Sequence, residues 1–124
     1  MKTRPELLKI YEKFELASKK PRSGSKIDQF QVRINDCMAL LRYLLGEQQV
    51  FNTIPGIRFS GEKNLKILLE DIEAQRGRSF RRSSNKARRI QIDRRFQDLI
   101  ALLKYISGDK KSFMRLNTFF KGRI

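Results

Sequence analysis

The sequence predicts an all-α protein, a compact bundle of four to five helices. Along several segments apolar residues recur at alternating steps of three and four, which places them on one face of a helix. Stretches rich in Gly, Ser, Pro and Asn separate these segments, as turns between helices do. Hydrophobic residues make up 40% of the 124 residues, which is enough to form a core at this length. The whole chain, residues 1–124, is predicted to be one basic helical domain.

The first helix is predicted over residues 4–18, with Thr3 as N-cap and Glu6 as its capping-box partner. Its apolar face consists of Leu7, Ile10, Tyr11 and Phe14. The segment near 19–26 combines Lys and Arg with Pro, Ser and Gly, which disfavour helical backbone angles. It is predicted to be a flexible basic loop.

The second helix is predicted to begin at Ser25 and to end near Leu45, before Gly46. Its apolar stripe is the clearest in the sequence and contains Ile27, Phe30, Ile34, Cys37, Leu41 and Leu44. Cys37 lies within the stripe, so it is interpreted as a buried small hydrophobic residue rather than a reactive thiol. Residues 47–60 carry Pro55-Gly56 between apolar pairs, a pattern typical of an irregular loop or a short hairpin, and a loop is the interpretation made.

A third helix is predicted to follow Ser60 and to reach about Gln75, and residues 76–84 are predicted to be a second flexible basic loop. A fourth helix, capped by Ser83, Ser84 or Asn85, is predicted to run to about Ser107, with the stripe Ile92, Phe96, Leu99, Leu103 and Ile106. After Gly108, a fifth helix capped by Asp109 presents Phe113, Leu116, Phe119 and Phe120. The stripes of the second and fourth helices are predicted to pack together. No internal repeat is identified.

Positive charge is concentrated in the last two-fifths of the chain. The sequence has 28 Lys or Arg against 13 Asp or Glu, a net charge of +15, and residues 76–124 alone carry +12. Between positions 76 and 95 there are nine basic residues, eight of them arginine, opposed only by Asp93. Guanidinium groups bind phosphate through two hydrogen bonds, whereas a merely solubilising surface can be built equally well from lysine. This bias favours a phosphate-bearing partner.

The candidate nucleic-acid-binding residues are Arg76, Arg78, Arg81, Arg82, Lys86, Arg88, Arg89, Arg94, Arg95, Lys110, Lys111 and Arg115. Arg88 and Arg95 are seven positions apart, so two helical turns bring them to the same side of the fourth helix. Phe80 lies among arginines outside any apolar period and is a candidate for stacking on a base. By contrast, Phe96, Phe113 and Phe120 fit core positions.

Several classes of function are disfavoured. The chain has no histidine, the commonest group for proton transfer near neutral pH, and no phosphate-loop, GxSxG or HExxH motif, so no enzymatic activity is predicted. The carboxylates Glu62, Glu70, Asp71 and Glu73 could hold a magnesium ion, but acidic residues are ordinary in a helical first turn and on a solvated face. No metal and no cofactor are predicted.

The location expected from the sequence is the cytoplasm. No apolar run approaches the roughly 18 residues needed to cross a bilayer, and charges stand near the N-terminus where a signal peptide is apolar. The single cysteine, Cys37, cannot form an internal disulfide, which fits a reducing compartment.

The composition predicts a subunit that contacts the phosphate backbone of RNA or single-stranded DNA, without strong sequence preference, inside a ribonucleoprotein assembly. Its protein partners are other subunits or copies of itself, and Phe119-Phe120 and the Val50 to Phe59 loop are expected to face a neighbour. The alternatives are a scaffold or inhibitor that docks on an acidic protein, and a protein that lies on a membrane surface.

One family resemblance follows from the whole chain and from the segment Arg95-Phe96-Gln97-Asp98-Leu99-Ile100-Ala101-Leu102-Leu103-Lys104-Tyr105. A short, strongly basic, all-helical chain without catalytic residues resembles the small subunit of CRISPR effector complexes. In that family, copies of a helical bundle line the guide-RNA complex and present basic residues to the nucleic-acid backbone. The resemblance implies a role in antiviral defence. Ribosome-associated and reverse-transcriptase accessory proteins are the other ribonucleoprotein subunits considered.

Overall fold

A computed structural model describes residues 2–19, 29–54, 57–61, 64–82 and 85–120, with the backbone alone for Gln29 and residues 79–82. Its five α-helices are α1 (Arg4–Ser18), α2 (Gln29–Leu44), α3 (Leu65–Arg82), α4 (Lys86–Ile106) and α5 (Phe113–Phe120). Between α2 and α3, strand β1 (Val50–Phe51) pairs antiparallel with β2 (Phe59–Ser60), and a 3-10 turn (Lys110–Ser112) precedes α5. The predicted bundle of four to five helices is confirmed.

The fourth helix is central to the bundle, because α4 contacts α2, α3 and α5, while α1 packs against α2 and α5. The predicted packing of the second against the fourth helix is therefore confirmed. The fully buried side chains at this centre include Ile34, Leu40, Leu41, Leu99, Leu102 and Leu103. Cys37 is also fully buried, as predicted, and burial raises the pKa of its thiol well above the ordinary value.

Helix ends follow the local signals in the sequence. The Thr3 backbone N–H donates to Oε1 of Glu6 over 3.1 Å, in the predicted capping box of α1. Asn85 caps α4, where its side chain accepts a hydrogen bond from the backbone N–H of Arg88 over 3.1 Å. Asp109 accepts one from the N–H of Lys111 at the start of the 3-10 turn. These caps satisfy N–H groups that have no partner within the helix.

The third helix extends further than predicted. It begins at Leu65, after Asn64 rather than directly after Ser60, and it ends at Arg82 rather than near Gln75. The flexible loop predicted over 76–84 is thus helical over 76–82, and residues 83–84 lie outside the described residues. The extension has a tertiary cause, because Arg76 forms an ion pair with Asp93 of α4 and α3 packs along that helix. Arginine is also a good helix former.

Two other loop predictions have different outcomes. Except for Lys19, the predicted basic loop near 19–26 lies outside the described residues, as does the predicted beginning of the second helix at Ser25. The segment 47–60 is not simply an irregular loop, since the backbones of Val50 and Phe51 pair with Ser60 and Phe59. The short hairpin that was the alternative interpretation is the correct one.

The apolar segments expected to face a neighbouring subunit are instead used inside the chain. Phe51 and Phe119 are fully buried and Phe59 is 5% exposed. The Phe119 ring lies 5.7 Å from the ring of Phe14 and 5.0 Å from that of Phe30, centroid to centroid, so α5 closes over α1 and α2. Phe51, Phe59 and Phe119 are therefore not available to a partner, because they complete the core of the bundle. Val50 and Phe120 are half-buried, and the expectation that they face a neighbour stays a prediction.

Truncation of the central leucines should destabilise the fold. Leu41→Ala or Leu99→Ala is expected to cost roughly 2 to 5 kcal/mol, because each removes a fully buried side chain and leaves a cavity. Urea denaturation followed by circular dichroism measures the loss. Leu16→Ala is the matched control, since Leu16 is 65% exposed and its truncation should cost less than about 0.5 kcal/mol. Equal losses at the three sites would contradict the assignment of the core.

Candidate nucleic-acid interface

The structure places the predicted basic residues on four elements. Most lie on the second half of α3 and the first half of α4, while Lys110 and Lys111 are on the 3-10 turn and Arg115 is on α5. The side chains of Phe80, Arg81 and Arg82 lie outside the described residues, although their backbone belongs to α3. Base stacking by Phe80 therefore stays a prediction.

Arg95 is committed to a buried ion pair. Its Nε lies 2.7 Å from Oδ2 of Asp36 on α2, its Nη2 donates to Oδ1 of the same carboxylate over 3.0 Å, and Nη2 also donates to the Thr53 carbonyl oxygen. The side chains of Arg95 and Asp36 are 16% and 2% exposed. A guanidinium held by three internal acceptors fixes α4 against α2, so we correct its role from phosphate contact to packing.

A second buried carboxylate, Asp98 of α4, binds two arginines. Its side chain has no exposed surface and accepts hydrogen bonds from Arg33 of α2 over 2.6 and 2.9 Å. The Nε of Arg115 on α5 also donates to Oδ1 of Asp98 over 2.9 Å, and its Nη2 donates to the Arg94 carbonyl oxygen. Arg115, another predicted phosphate ligand, thus joins three helices at one carboxylate.

Arg76 is paired nearer the surface. Its Nε lies 2.6 Å from Oδ1 of Asp93, and Gln97 donates a further hydrogen bond to Oδ2 of the same carboxylate. These contacts lower the pKa of Asp93 and, through the same hydrogen bonds, raise the pKa of Arg76. The only acidic residue of the segment 76–95 is therefore neutralised by one arginine, and it does not screen the others.

The Asp93 pair gives stability that depends on pH. The pKa of Asp93 is lower in the folded chain than its ordinary 3.8, so the folded state is stabilised above that pH. The contribution is lost as the pH falls through the lowered pKa. Asp93→Asn is therefore expected to lower the free energy of unfolding by up to about 1 kcal/mol near neutral pH. Urea denaturation should show this difference shrinking towards zero under strongly acidic conditions, and a difference that grows as pH falls would contradict it.

The basic side chains that remain exposed cluster around the end of α3 and the first half of α4. Among the described residues, four of the predicted set there are exposed and have no ion pair: Arg78, Lys86, Arg88 and Arg94. Arg89 is half-buried. Lys110 and Lys111 are exposed on the 3-10 turn. We call the four residues of α3 and α4 the basic face.

A groove of about 430 Å³ lies beside this face, between α2 and the first turns of α4. It is lined by Val32, Asn85, Ala87, Arg88, Gln91, Ile92 and Arg95. The prediction that Arg88 and Arg95 share one side of α4 is confirmed, because both line this groove. Arg88 offers an exposed guanidinium and Gln91 an exposed amide, while the Arg95 guanidinium is already held by Asp36. Such a groove can accept an anionic group with hydrogen-bond acceptors.

Of the three aromatic residues interpreted as core, Phe96 belongs to the core and Phe120 packs against it. Phe96 is 1% exposed. Phe113 and Phe120 are half-buried, with ring centroids 6.0 Å apart, and Phe120 lies edge-on to Phe14 at 4.8 Å. Phe113 contacts the rings of Tyr105 and Phe120 but is not part of the core.

Among the residues that the structure describes, no group of three or more His, Cys, Asp or Glu side chains is arranged to hold a metal ion. Glu62, one of the four carboxylates considered from the sequence, lies outside the described residues. None of the described helices is both long and apolar enough to span a bilayer.

The buried carboxylates Asp36 and Asp98 were not identified from the sequence, and neither was Arg33. A signal was present, because an arginine stands three positions before an aspartate in both α2 and α4, directly beside the apolar stripe. Charged residues at the edge of a core-facing stripe need a partner of opposite sign when the helix is buried. The sequence contains that requirement but does not state which pairs form.

Comparison with known proteins gives no relative from which a function could be transferred. The chain matches no protein-family model, no curated protein sequence and no solved structure. The resemblance to the small subunit of CRISPR effector complexes therefore stays a prediction.

Proposed function

We propose that the protein is a non-enzymatic nucleic-acid-binding subunit that contacts the phosphate backbone of RNA or single-stranded DNA through the basic face. The observation that carries the proposal is the exposure of Arg78, Lys86, Arg88 and Arg94 once the internally paired arginines are set aside. Positive charges held close together on helices repel one another without a ligand, and a phosphate backbone removes that repulsion.

The form of the basic face favours backbone contact over base reading. Three of its four residues are arginines, which bind phosphate oxygens through a planar fork of donors. The sequence shows no helix-turn-helix or RRM signature that would aim side chains at base edges. The proposed binding is therefore electrostatic and tolerant of sequence, as suits a subunit that supports nucleic acid in an assembly.

The finer assignment is a place in a ribonucleoprotein assembly like that of the CRISPR small subunit. It is supported by the small size, the helical bundle and the net charge of +15. In such an assembly, the protein would lie along an extended strand, and neighbouring subunits would supply the catalytic and sequence-reading parts. Copurification of the tagged protein with a complex that contains guide RNA would support this assignment.

The salt dependence of binding tests the proposed function. Fluorescence anisotropy with a labelled single-stranded RNA and the same DNA sequence is expected to show affinity that falls steeply as salt rises. If about five phosphates of a single strand are engaged, the log-log slope should be about −3.5. Two unrelated sequences of each type should bind equally well.

Controls with other anions distinguish the alternatives. Anionic lipid vesicles and an acidic polypeptide are offered at the same salt concentration. Preferential binding to vesicles would replace the proposal with a membrane-surface role, and preferential binding to the polypeptide would replace it with docking on an acidic protein. Affinity for nucleic acid that does not change with salt would also reject the proposal.

A further inference from the structure

The sequence contains an internal repeat, which the spacing of apolar residues does not reveal because all the helices share that spacing. Residues 29–46 align without gaps with residues 91–108 at a shift of 62 positions, half the length of the chain. Eight of these 18 positions are identical: Gln29 and Gln91, Arg33 and Arg95, Asp36 and Asp98, Ala39 and Ala101, Leu40 and Leu102, Leu41 and Leu103, Tyr43 and Tyr105, and Gly46 and Gly108. These identities contradict the expectation that there is no internal repeat.

The same shift relates the secondary structure of the two halves. Adding 62 to the bounds of α1 gives residues 66–80, which lie inside α3, and adding it to the last residue of α2 gives Ile106, the last residue of α4. Beyond the helices, fully buried Ile54 corresponds to fully buried Leu116. The correspondence thus covers both helices of each half and the segment that follows them.

The helix ends repeat in atomic detail. After α2, the N–H of Gly46 donates to the Tyr43 carbonyl oxygen over 3.2 Å, and the N–H of Glu47 donates to that of Arg42 over 2.9 Å. After α4, the corresponding bonds join Gly108 to Tyr105 over 3.1 Å and Asp109 to Lys104 over 2.9 Å. Both glycines have positive φ, 81° and 116°, the left-handed conformation of a Schellman cap.

The ion pairs between α2 and α4 are reciprocal. Arg33 of α2 binds Asp98 of α4, and Arg95 of α4, the counterpart of Arg33, binds Asp36 of α2, the counterpart of Asp98. This exchange requires the two helices to run antiparallel about an axis midway between the pairs. A contact from i to j that is matched by one from j to i is the signature of an interface between two identical units related by a twofold axis.

We infer that the chain contains two copies of one helical unit, the first with α1 and α2 and the second with α3 and α4, joined through an interface of homodimer type formed by α2 and α4. Within the chain, the surface of α2 that forms this interface is covered by the second copy of the unit, and a separate copy of the same unit is the kind of partner that the surface fits. Two buried Arg–Asp pairs set its register, because a slip of one residue turns each charged side chain by about 100° and leaves it buried without its partner.

The copies have diverged outside this interface. Arg115, which binds Asp98, corresponds to Thr53, which offers only its carbonyl oxygen to Arg95. The surface has diverged in charge as well, since exposed Arg78 corresponds to Leu16 and exposed Arg94 to Val32. The second copy therefore carries the basic face, and the first copy carries the hairpin of β1 and β2.

The inference is tested by exchanging residues 29–46 with residues 91–108 within the full chain. In this variant both Arg–Asp pairs between α2 and α4 are retained, because the four residues are identical at equivalent positions, and the composition of the chain is unchanged. The exchange removes the ion pair of Arg76, because Asp93 changes places with Gln31. It is expected to remain monomeric and helical, with one cooperative melting transition whose Tm falls by no more than about 20 °C. The readouts are circular dichroism, thermal melting and light scattering after size exclusion, none of which depends on nucleic-acid binding.

The matched control exchanges residues 29–46 with residues 92–109, which displaces each pair by one position, and it is expected to show no cooperative transition. If neither segment exchange folds, a pair of double substitutions gives a milder test. Cys37→Leu with Leu99→Cys exchanges residues at equivalent positions of the two copies, whereas Cys37→Leu with Leu102→Cys exchanges residues at non-equivalent positions. The equivalent exchange should melt at the higher temperature. In either comparison, the inference is overturned if the equivalent exchange melts at the same temperature as the non-equivalent one, or at a lower temperature.

Discussion

Asp98→Ala is expected to lower the free energy of unfolding by about 3 to 5 kcal/mol, the cost of leaving buried charges without their partner. The Asp98 side chain is fully buried and binds Arg33 and Arg115, whose side chains are 21% and 32% exposed. Removing the carboxylate leaves two partly buried guanidinium groups close together without a counter-charge. Urea denaturation followed by circular dichroism measures the effect.

Two controls test whether the loss of stability in Asp98→Ala comes from the buried cluster. Glu73→Ala removes an exposed carboxylate from α3 and should change stability by less than about 0.5 kcal/mol. The triple variant Asp98→Leu, Arg33→Met and Arg115→Leu replaces the whole cluster with apolar side chains, and it should recover at least about half of the loss. A loss for Asp98→Ala as small as that for Glu73→Ala would contradict the buried cluster.

Arg88→Ala combined with Arg94→Ala is expected to weaken binding of single-stranded nucleic acid by about 10- to 100-fold at low salt. Each arginine is proposed to contact a phosphate, so the log-log salt slope should become shallower by roughly 0.7 for each. Helicity should not change, because both side chains are exposed on α4. Anisotropy titrations with two unrelated sequences measure the effect, which should be the same for both.

Lys9→Ala combined with Lys13→Ala is the matched control for charge. Both lysines are exposed on α1, where Glu12 and Glu15 lie within one helical turn, and the variant removes the same two charges. Its affinity should fall by less than about threefold, since long-range attraction between exposed charges is screened. An equal loss in the two variants would mean diffuse attraction without a site. If the variant with Arg88→Ala and Arg94→Ala binds nucleic acid as before but no longer binds a protein partner, the basic face is a docking surface for that protein.

The elements that could be predicted from the sequence are those fixed by local chemistry. Thr3 with Glu6, Asn85 and Asp109 mark helix beginnings because their side chains accept or return hydrogen bonds within one turn. The apolar stripes of α2 and α4 gave the core, including Cys37, since burial of a helix follows from its spacing of apolar residues.

The errors arose where a distant contact overrides local preference. The end of α3 looks like a loop in the sequence, with Gly77 and little to bury, yet Arg76 is tied to Asp93 and the helix continues to Arg82. In the sequence, the apolar residues of the segments Val50 to Phe59 and Phe119-Phe120 resemble a surface that docks on a neighbouring subunit. They are core because α5 and the strands fold back onto the bundle, which no local pattern states.

By itself, the sequence determined the helical class, the apolar stripes that form the core and the excess of positive charge in the second half, because each is a sum or a period over neighbouring residues. Only the tertiary structure decided which arginines are available to a ligand. In sequence Arg88 and Arg95 are alike, two basic residues on one side of one helix. In the fold Arg95 meets the buried carboxylate of Asp36, 59 positions away, whereas Arg88 faces the groove. A charge binds an outside partner only where packing has left it without an inside one, and packing joins residues that are far apart in the chain.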